Sequence, residues 1–349
     1  MAYTTINDSS VNFQTAIYTG NGGTQSITND GNSNLKPDFI WVKDRSATND
    51  HKLSDSNRGS TYTMESNTSL AEYNDTTAVT SFNTDGFTTG SNGNTNTNSN
   101  TYVAWQWKAN GGTTSSNSDG SITSTVQVNS TSKFSVVSYT GTGSNATIGH
   151  GLGVTPDLII VKLRSGAGDW TVYNSIIGNT KFLRLNSGNA EGTQSTYWQD
   201  TSPTTSVFSI GTAGDVNTSS GTHVAYCFSQ VKGYSKIGTY KGTGDVDGPF
   251  LFCGFKPAFI LTKRLDDTGS WLIHDNKREG YNSDNDEIEV NTNAVEANND
   301  RLDLLSNGVK IRNTSGYVNA SGASYTFLAI ADAPLVASNG VAATTRAMG

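Results

Sequence analysis

YTGTGSNATIGHGLGVTPDLIIVKLR, residues 139–164, decides the fold, because the chain of 349 residues carries this passage in three versions. A tyrosine and a glycine turn open each one: YTGNG from Tyr18, YTGTG from Tyr139 and YKGTG from Tyr240. Seventeen to nineteen residues later a proline leads an apolar run into basic residues, as PDFIWVKDR from Pro37, PDLIIVKLR from Pro156 and PAFILTKR from Pro257. Eighteen residues past each proline stands Asp55, Asn174 or Asp275, with Gly59, Gly178 or Gly280 close behind. Each version closes on an apolar strand, YVAWQW from Tyr102, HVAYCF from His223 and YTFLAIA from Tyr325. Offsets held this closely predict an internal repeat.

The periodicity within each copy is that of strands. FSVVSY and HVAYCF alternate partially and are rich in β-branched and aromatic residues. FIWV, LIIV and FILT are short continuous apolar runs, which suit strands covered on both faces. Gly-Thr-Gly, Asn-Gly and Asp-Gly pairs between them supply the positive φ that tight turns require. LAEYN from Leu70 and AVEAN from Ala294 have room for one helical turn each. The fold class is therefore all-β, with three homologous β-sandwich repeats in tandem. The boundaries fall at 1–12 for an N-terminal arm, then 13–109, 134–229 and 235–332 for the repeats, and 333–349 for a C-terminal arm. Residues 110–133 form a Gly/Ser/Asn linker whose second half, 122–128, alternates well enough for an extra strand. With only about five residues between them, repeats two and three are expected to dock rigidly, while the first hinges on the linker.

Composition excludes several functions. The net charge is −7 and only 15% of residues are charged, with 23 basic residues scattered along the chain. Duplex binding needs clustered Lys and Arg to displace counterions, so no nucleic-acid partner is expected. No apolar run approaches the length of a membrane span, and MAYTTINDSS has neither a basic nor an apolar signal-peptide region. Two cysteines, Cys227 and Cys253, are too few for a disulfide framework.

Candidate site residues are polar pairs and tryptophans. Lys43 with Arg45, Lys162 with Arg164, and Lys263 with Arg264 recur at the ends of the apolar runs. Together with Asp55, Arg58, Asp275 and Arg278 they form either a polar binding groove or, as the chemistry favours, ion pairs tying a strand to its neighbour. Residues i and i+2 share a face, so Lys43 and Arg45 are expected to share one carboxylate; Asn174 breaks the pattern in the second copy. Trp41, Trp105 and Trp107 read as core. Trp170 and Trp271 occupy equivalent places where the first copy has His51. Trp198, in the polar stretch STYWQDTSP, is the foremost candidate for a ring that stacks on a sugar. Oxygen ligands cluster at 29–34 and 282–287 in a manner open to Ca²⁺, without EF-hand spacing. The four histidines have no zinc spacing, and no nucleophile motif appears. Asp284, Asp286, Glu287 and Glu289 read as a solvated acidic loop, and both cysteines as buried hydrophobes.

The phrases MAYTTINDSSVNFQTAIYTGNG, LKPDFIWVKDRS, SYTGTGSNATIGHGLGVTPDLIIVK, YWQDTSPTTSVFSIG and the closing ADAP resemble a family of virion structural proteins from phages of marine bacteria. The resemblance covers nearly the whole chain. It implies a lectin-like jelly-roll fold, a place in the virion, and a tail-associated or fibre role. It also implies other virion proteins and host-surface glycan as partners, and brings no catalytic motif and no cofactor. A capsid decoration protein is the alternative within this class, and a polysaccharide depolymerase is the alternative outside it. Sparse edge charge further predicts a homo-oligomer, with the arm around Thr344, Thr345 and Arg346 either docking as a strand on a neighbour or remaining a plain tail.

Overall fold

Alternation within the short apolar runs sends side chains to two different cores. A computed structural model describes residues 4–278, 282, 285–334 and 336. In the central strand Phe39–Asp44, Phe39 and Trp41 point one way while Ile40 and Val42 point the other, and all are buried. Leu158–Leu163 divides likewise, Leu158 and Ile160 from Ile159 and Val161. A run apolar on both faces is the physical requirement for a strand between two layers.

The molecule is nearly all-β, with three large antiparallel sheets of the same strand order. In the first, the opening strand Phe13–Thr19 pairs with the closing strand Thr101–Trp107. The central strand Phe39–Asp44 follows, then Lys52–Asp55, Gly59–Met64 and Tyr73–Asn74. The second sheet runs Phe134–Thr140, Thr222–Phe228, Leu158–Leu163, Thr171–Asn174, Lys181–Arg184 and Gly192–Thr193. The third runs Ser235–Lys241, Ser324–Pro334, Phe255–Arg264, Leu272–Asp275, Asp286–Glu289 and Ala297–Asn298. Among the described residues the second sheet alone is extended, by the hairpin Ser115–Asn117 and Ser124–Asn129, whose second strand falls where the linker alternates. Each large sheet is backed by a small one built around Gln25–Ile27, Ala146–Gly149 or Phe250–Phe252.

The hinge expected after the first repeat is corrected here. The inner faces of all three large sheets close on one core. Trp107 lies edge-on to Phe228 of the second sheet, with ring centroids 6.5 Å apart, and to Phe259 of the third, at 5.6 Å. Phe39 stacks on Tyr226 at 4.3 Å. Burying aromatic surface of this size across the junctions stabilises the three sheets as one body and leaves the first no hinge. Two smaller readings also change. Within LAEYN and AVEAN, Tyr73–Asn74 and Ala297–Asn298 are edge strands rather than helical turns. Pro257 sits inside its strand at a bulge, whereas Pro37 and Pro156 precede theirs.

Candidate functional site

The charged residues singled out from the sequence meet at the junctions between sheets. Arg58 Nε bonds Asp55 Oδ2 at 2.5 Å, and its Nη1 bonds Glu72 at 2.6 Å. Arg164 of the second sheet holds the same Glu72 at 2.9 Å, and Tyr226 donates to Asp55 at 2.7 Å. The arrangement recurs between the third and first sheets. Arg278 bonds Asp275 at 2.7 Å and Glu296 at 2.7 Å, Arg45 bonds the same Glu296 at 2.7 Å, and Trp105 donates to Asp275 at 2.9 Å. Between the second and third sheets the corresponding positions are Asn174, Ile177, Glu191 and Leu265. There Asn174 donates to Thr326 at 3.0 Å and the ionic network is missing. The backbone register is kept at all three junctions: Glu72, Glu191 and Glu296 donate their amides to the carbonyls of Arg164, Leu265 and Arg45. The third counterpart of Arg45 is thus Leu265, not Arg264.

Electrostatics follow from this burial. Dehydration works against the Arg58 guanidinium, yet the charge of Asp55 overcomes it and the pKa rises. Burial would raise the Glu72 carboxyl, but Arg164 and Arg58 hold it below the usual range. The expected sharing of one carboxylate by Lys43 and Arg45 does not occur. Lys43 is buried and donates to the carbonyl of Asp44 at 2.6 Å. Lys162 and Lys263 likewise reach carbonyls, Leu163 at 2.9 Å and Gly269 at 2.8 Å. Burial lowers all three ammonium groups to about 8. Arg45 and Arg58 therefore act as ties between sheets, through Glu296 and through Glu72 and Tyr226, while Lys43 is held within its own sheet by the carbonyls of Asp44 and Ala47.

The tryptophans are corrected in the same sense. Trp198 is 1% exposed, so it offers no platform to a sugar. Its short helix Ser195–Trp198 is drawn onto the small sheet by Gln199, whose amide donates to the carbonyls of Ala146 and Ile210, and the indole packs edge-on to Tyr173. Trp170 and Trp271 are also buried, and each ties its sheet to the preceding one: Trp170 Nε1 donates to the carbonyl of Glu65 and Trp271 Nε1 to that of Arg184, both at 2.8 Å. His51 completes the set, 3.1 Å from the carbonyl of Glu289. Polar flanks misled the reading of Trp198, since the polar groups around it are consumed by backbone.

A residue the motif search missed is a buried asparagine in each copy. Asn96, Asn217 and Asn319 pin the Tyr-Gly turns. Asn217 accepts from Thr142 N at 2.8 Å and donates to the carbonyls of Ser144 and Gly211 at 2.7 Å. The signal was present as GNTN, GDVN and GYVN at Gly93, Gly214 and Gly316. Among the possible calcium ligands, Asp30 is bound by Lys277 at 2.8 Å and Glu287 by Arg301. Residues 283 and 284, with Gly280, lie outside the described residues. No group of three His, Cys, Asp or Glu side chains is gathered to hold a metal among those described.

A cleft of about 280 Å³ lies between the first and third sheets, walled by Phe13, Gln14 and Thr15 on one side and by Asn276, Lys277, Ala331 and Asp332 on the other. Fold and site together define an all-β protein whose three sheets enclose one core and whose buried charges serve that enclosure. The chain belongs to the family DUF7483, described as a domain of unknown function, whose model matches residues 8–334 in one span across all three sheets. No curated protein and no solved structure matches it.

Proposed function

We propose that the chain is a structural protein of a phage virion, a tail-associated or fibre component that contributes to adhesion on host-surface glycan without catalysing a reaction. The observation that carries this reading is where the polar chemistry goes. The buried arginines Arg58 and Arg278, with Arg45, Arg164 and their carboxylates, are spent on joining sheets, while the outward turns present short hydroxyl and amide groups such as Asn21, Thr24, Thr142, Ser144, Asn145 and Thr243. Hydroxyls and amides both donate and accept, which suits contact with polyhydroxylated surfaces. A body braced at every junction suits a part that transmits load. Many copies on one particle convert weak contacts into avidity.

Immunogold labelling of purified particles with antibody to this chain tests the reading. Label on tails or fibres is expected; label confined to capsid faces replaces it with the decoration role, and unlabelled particles overturn it. A glycan-binding screen is expected to give weak, multivalent hits. Release of reducing ends from host polysaccharide by the purified protein overturns the non-catalytic part.

A further inference from the structure

The three small sheets bury one face each, and their outward faces differ. Ile27, Ile148 and Leu251 are the inward residues of Gln25–Ile27, Ala146–Gly149 and Phe250–Phe252, and all three are buried in the cores. The residue before each points to the opposite side. In the first copy this is Ser26, whose hydroxyl lies 3.2 Å from that of Thr88 on the paired strand. In the second it is Thr147, opposite Ser209, with its hydroxyl accepting from the Ser121 amide at 2.9 Å. In the third copy both outward residues are phenylalanine. Phe250 is 44% and Phe252 58% exposed, the most exposed aromatic side chains among the described residues.

Neighbouring residues seat these rings and border them with polar groups. Phe250 stands opposite Lys310, and Phe252 opposite Gly308, on the paired strand. A Cβ on Gly308 would come within 3.0 Å of Phe250 Cζ, so the glycine lets that ring settle diagonally against the adjoining strand. Residues i and i+2 share a face, and at about 3.3 Å per residue the two rings start about 6.6 Å apart. Lys310 pairs with Asp247 at 2.8 Å, and Arg312 with Asp303 at 2.5 Å. Two cations and two carboxylates thus border the rings and cancel. The side chains of Asp247 and Arg312 are 79% and 46% exposed, which leaves them able to bond a ligand as well.

We propose that Phe250 and Phe252 form a binding platform for a neutral polysaccharide, an assignment that rests on the adhesive reading above. The rings stack on the apolar faces of sugar units while Asp247 and Arg312 bond their hydroxyls. A sugar chain is apolar on its ring faces and polar at its edges, and here apolar rings and a hydrogen-bonding rim lie side by side. The balanced rim offers no net attraction to a sulfated or a cationic chain. A second copy of the protein fits less well. Together the two side chains expose about as much as one whole phenylalanine, roughly 150–250 Å². A stable interface takes about 800 Å² from each partner. Pro249, just before the strand, also has no amide to offer an added strand.

Affinity electrophoresis of the full chain in gels containing dextran, mannan or galactan tests the platform, with dextran sulfate as the charged comparison. Retardation by at least one neutral polymer is expected. Phe250→Ser with Phe252→Thr, which installs the residues of the first copy, Ser26 and Thr28, should bind at least about five-fold more weakly. Both positions are exposed, so an unchanged thermal midpoint confirms that the variant folds. Phe250→Leu with Phe252→Leu should be as weak, because leucine keeps apolar area but has no ring face. Undiminished binding by either double variant overturns the platform and leaves adhesion standing at another surface. Retardation by dextran sulfate alone overturns the neutral assignment. Retardation by none of the polymers overturns the platform, while the immunogold label decides the virion reading separately. A dimer in sedimentation that Phe250→Ser with Phe252→Thr abolishes places a second copy on the rings and overturns the glycan assignment.

Discussion

Asp55 and Asp275 each sit fully buried against an arginine three residues on, whereas Asn174 has Ile177 at that place. Buried ion pairs gain little over apolar packing but are costly to break, because the surviving charge has no water. Arg58→Met is therefore expected to destabilise by about 3–5 kcal/mol in urea unfolding, since it strands Asp55 and Glu72. Asn174→Asp should be destabilising for the same reason, and Asn174→Asp with Ile177→Arg should recover part of the loss. A neutral result for Arg58→Met would show that these pairs are wetter than their burial implies. The titrating groups set a pH profile. Burial lowers His51 and His274 to about 3 and His223 to about 4, from 6.5. Between those values the unfolded chain binds protons that the folded chain does not, so stability falls as pH falls. Glu72 and Asp275, held low by their arginines, lose their contribution as pH falls further. On the alkaline side the lysines at about 8 make the folded state gain as pH rises from 8 toward 10.5. Buried tyrosines such as Tyr139 and Tyr226, whose pKa values burial raises well above 10, reverse the trend once unfolded tyrosine ionises. The urea midpoint should thus climb from pH 4 to a maximum between about 8 and 10; a maximum near pH 6 would contradict these assignments.

At the scale of the element, the recurrent turn after each opening strand is fixed by close approach. A Cβ on Gly20, Gly141 or Gly242 would fall inside contact distance of the carbonyl oxygen of Thr97, Thr218 or Ala320. By contrast Gly153 has φ of +68° with nothing within 4 Å of a Cβ. Gly153→Ala should cost about 1–2 kcal/mol from its left-handed backbone alone. Gly141→Ala should cost more, about 2–4 kcal/mol, because backbone must move. Thermal unfolding of the two variants measures the order, and the reverse order would refute the close-approach account. The same turn explains why the sequence shows glycine there in all three copies.

For the whole molecule, one core shared by three sheets predicts one cooperative transition. Calorimetry of the full chain should give a single peak whose van't Hoff and calorimetric enthalpies agree. The isolated segment 13–109 would expose Trp41, Trp105 and Trp107 and should bind a hydrophobic dye without unfolding cooperatively. Three resolved transitions, or a stable isolated segment, would restore the picture of independent sandwiches.

Strand positions and the all-β class were legible in the chain, because alternation and turn residues act over a few residues and are written locally. So were the recurring places of Asp55, Asn174 and Asp275, and the burial of Trp41, Trp105 and Trp107. What the apolar runs packed against was not legible: FIWV demands cover on both faces but does not say that one cover is two other sheets. The fate of Trp198 and Arg58 depended on partners elsewhere in the chain, Tyr173 and the carbonyls held by Gln199 for the one and Tyr226 and Glu72 for the other, while Lys43 was buried over the carbonyls of Asp44 and Ala47 by the packing around its strand end. Local polarity describes what a side chain is able to bond. Only the tertiary structure decides whether water or protein answers, since that depends on which distant groups the shared core brings within reach.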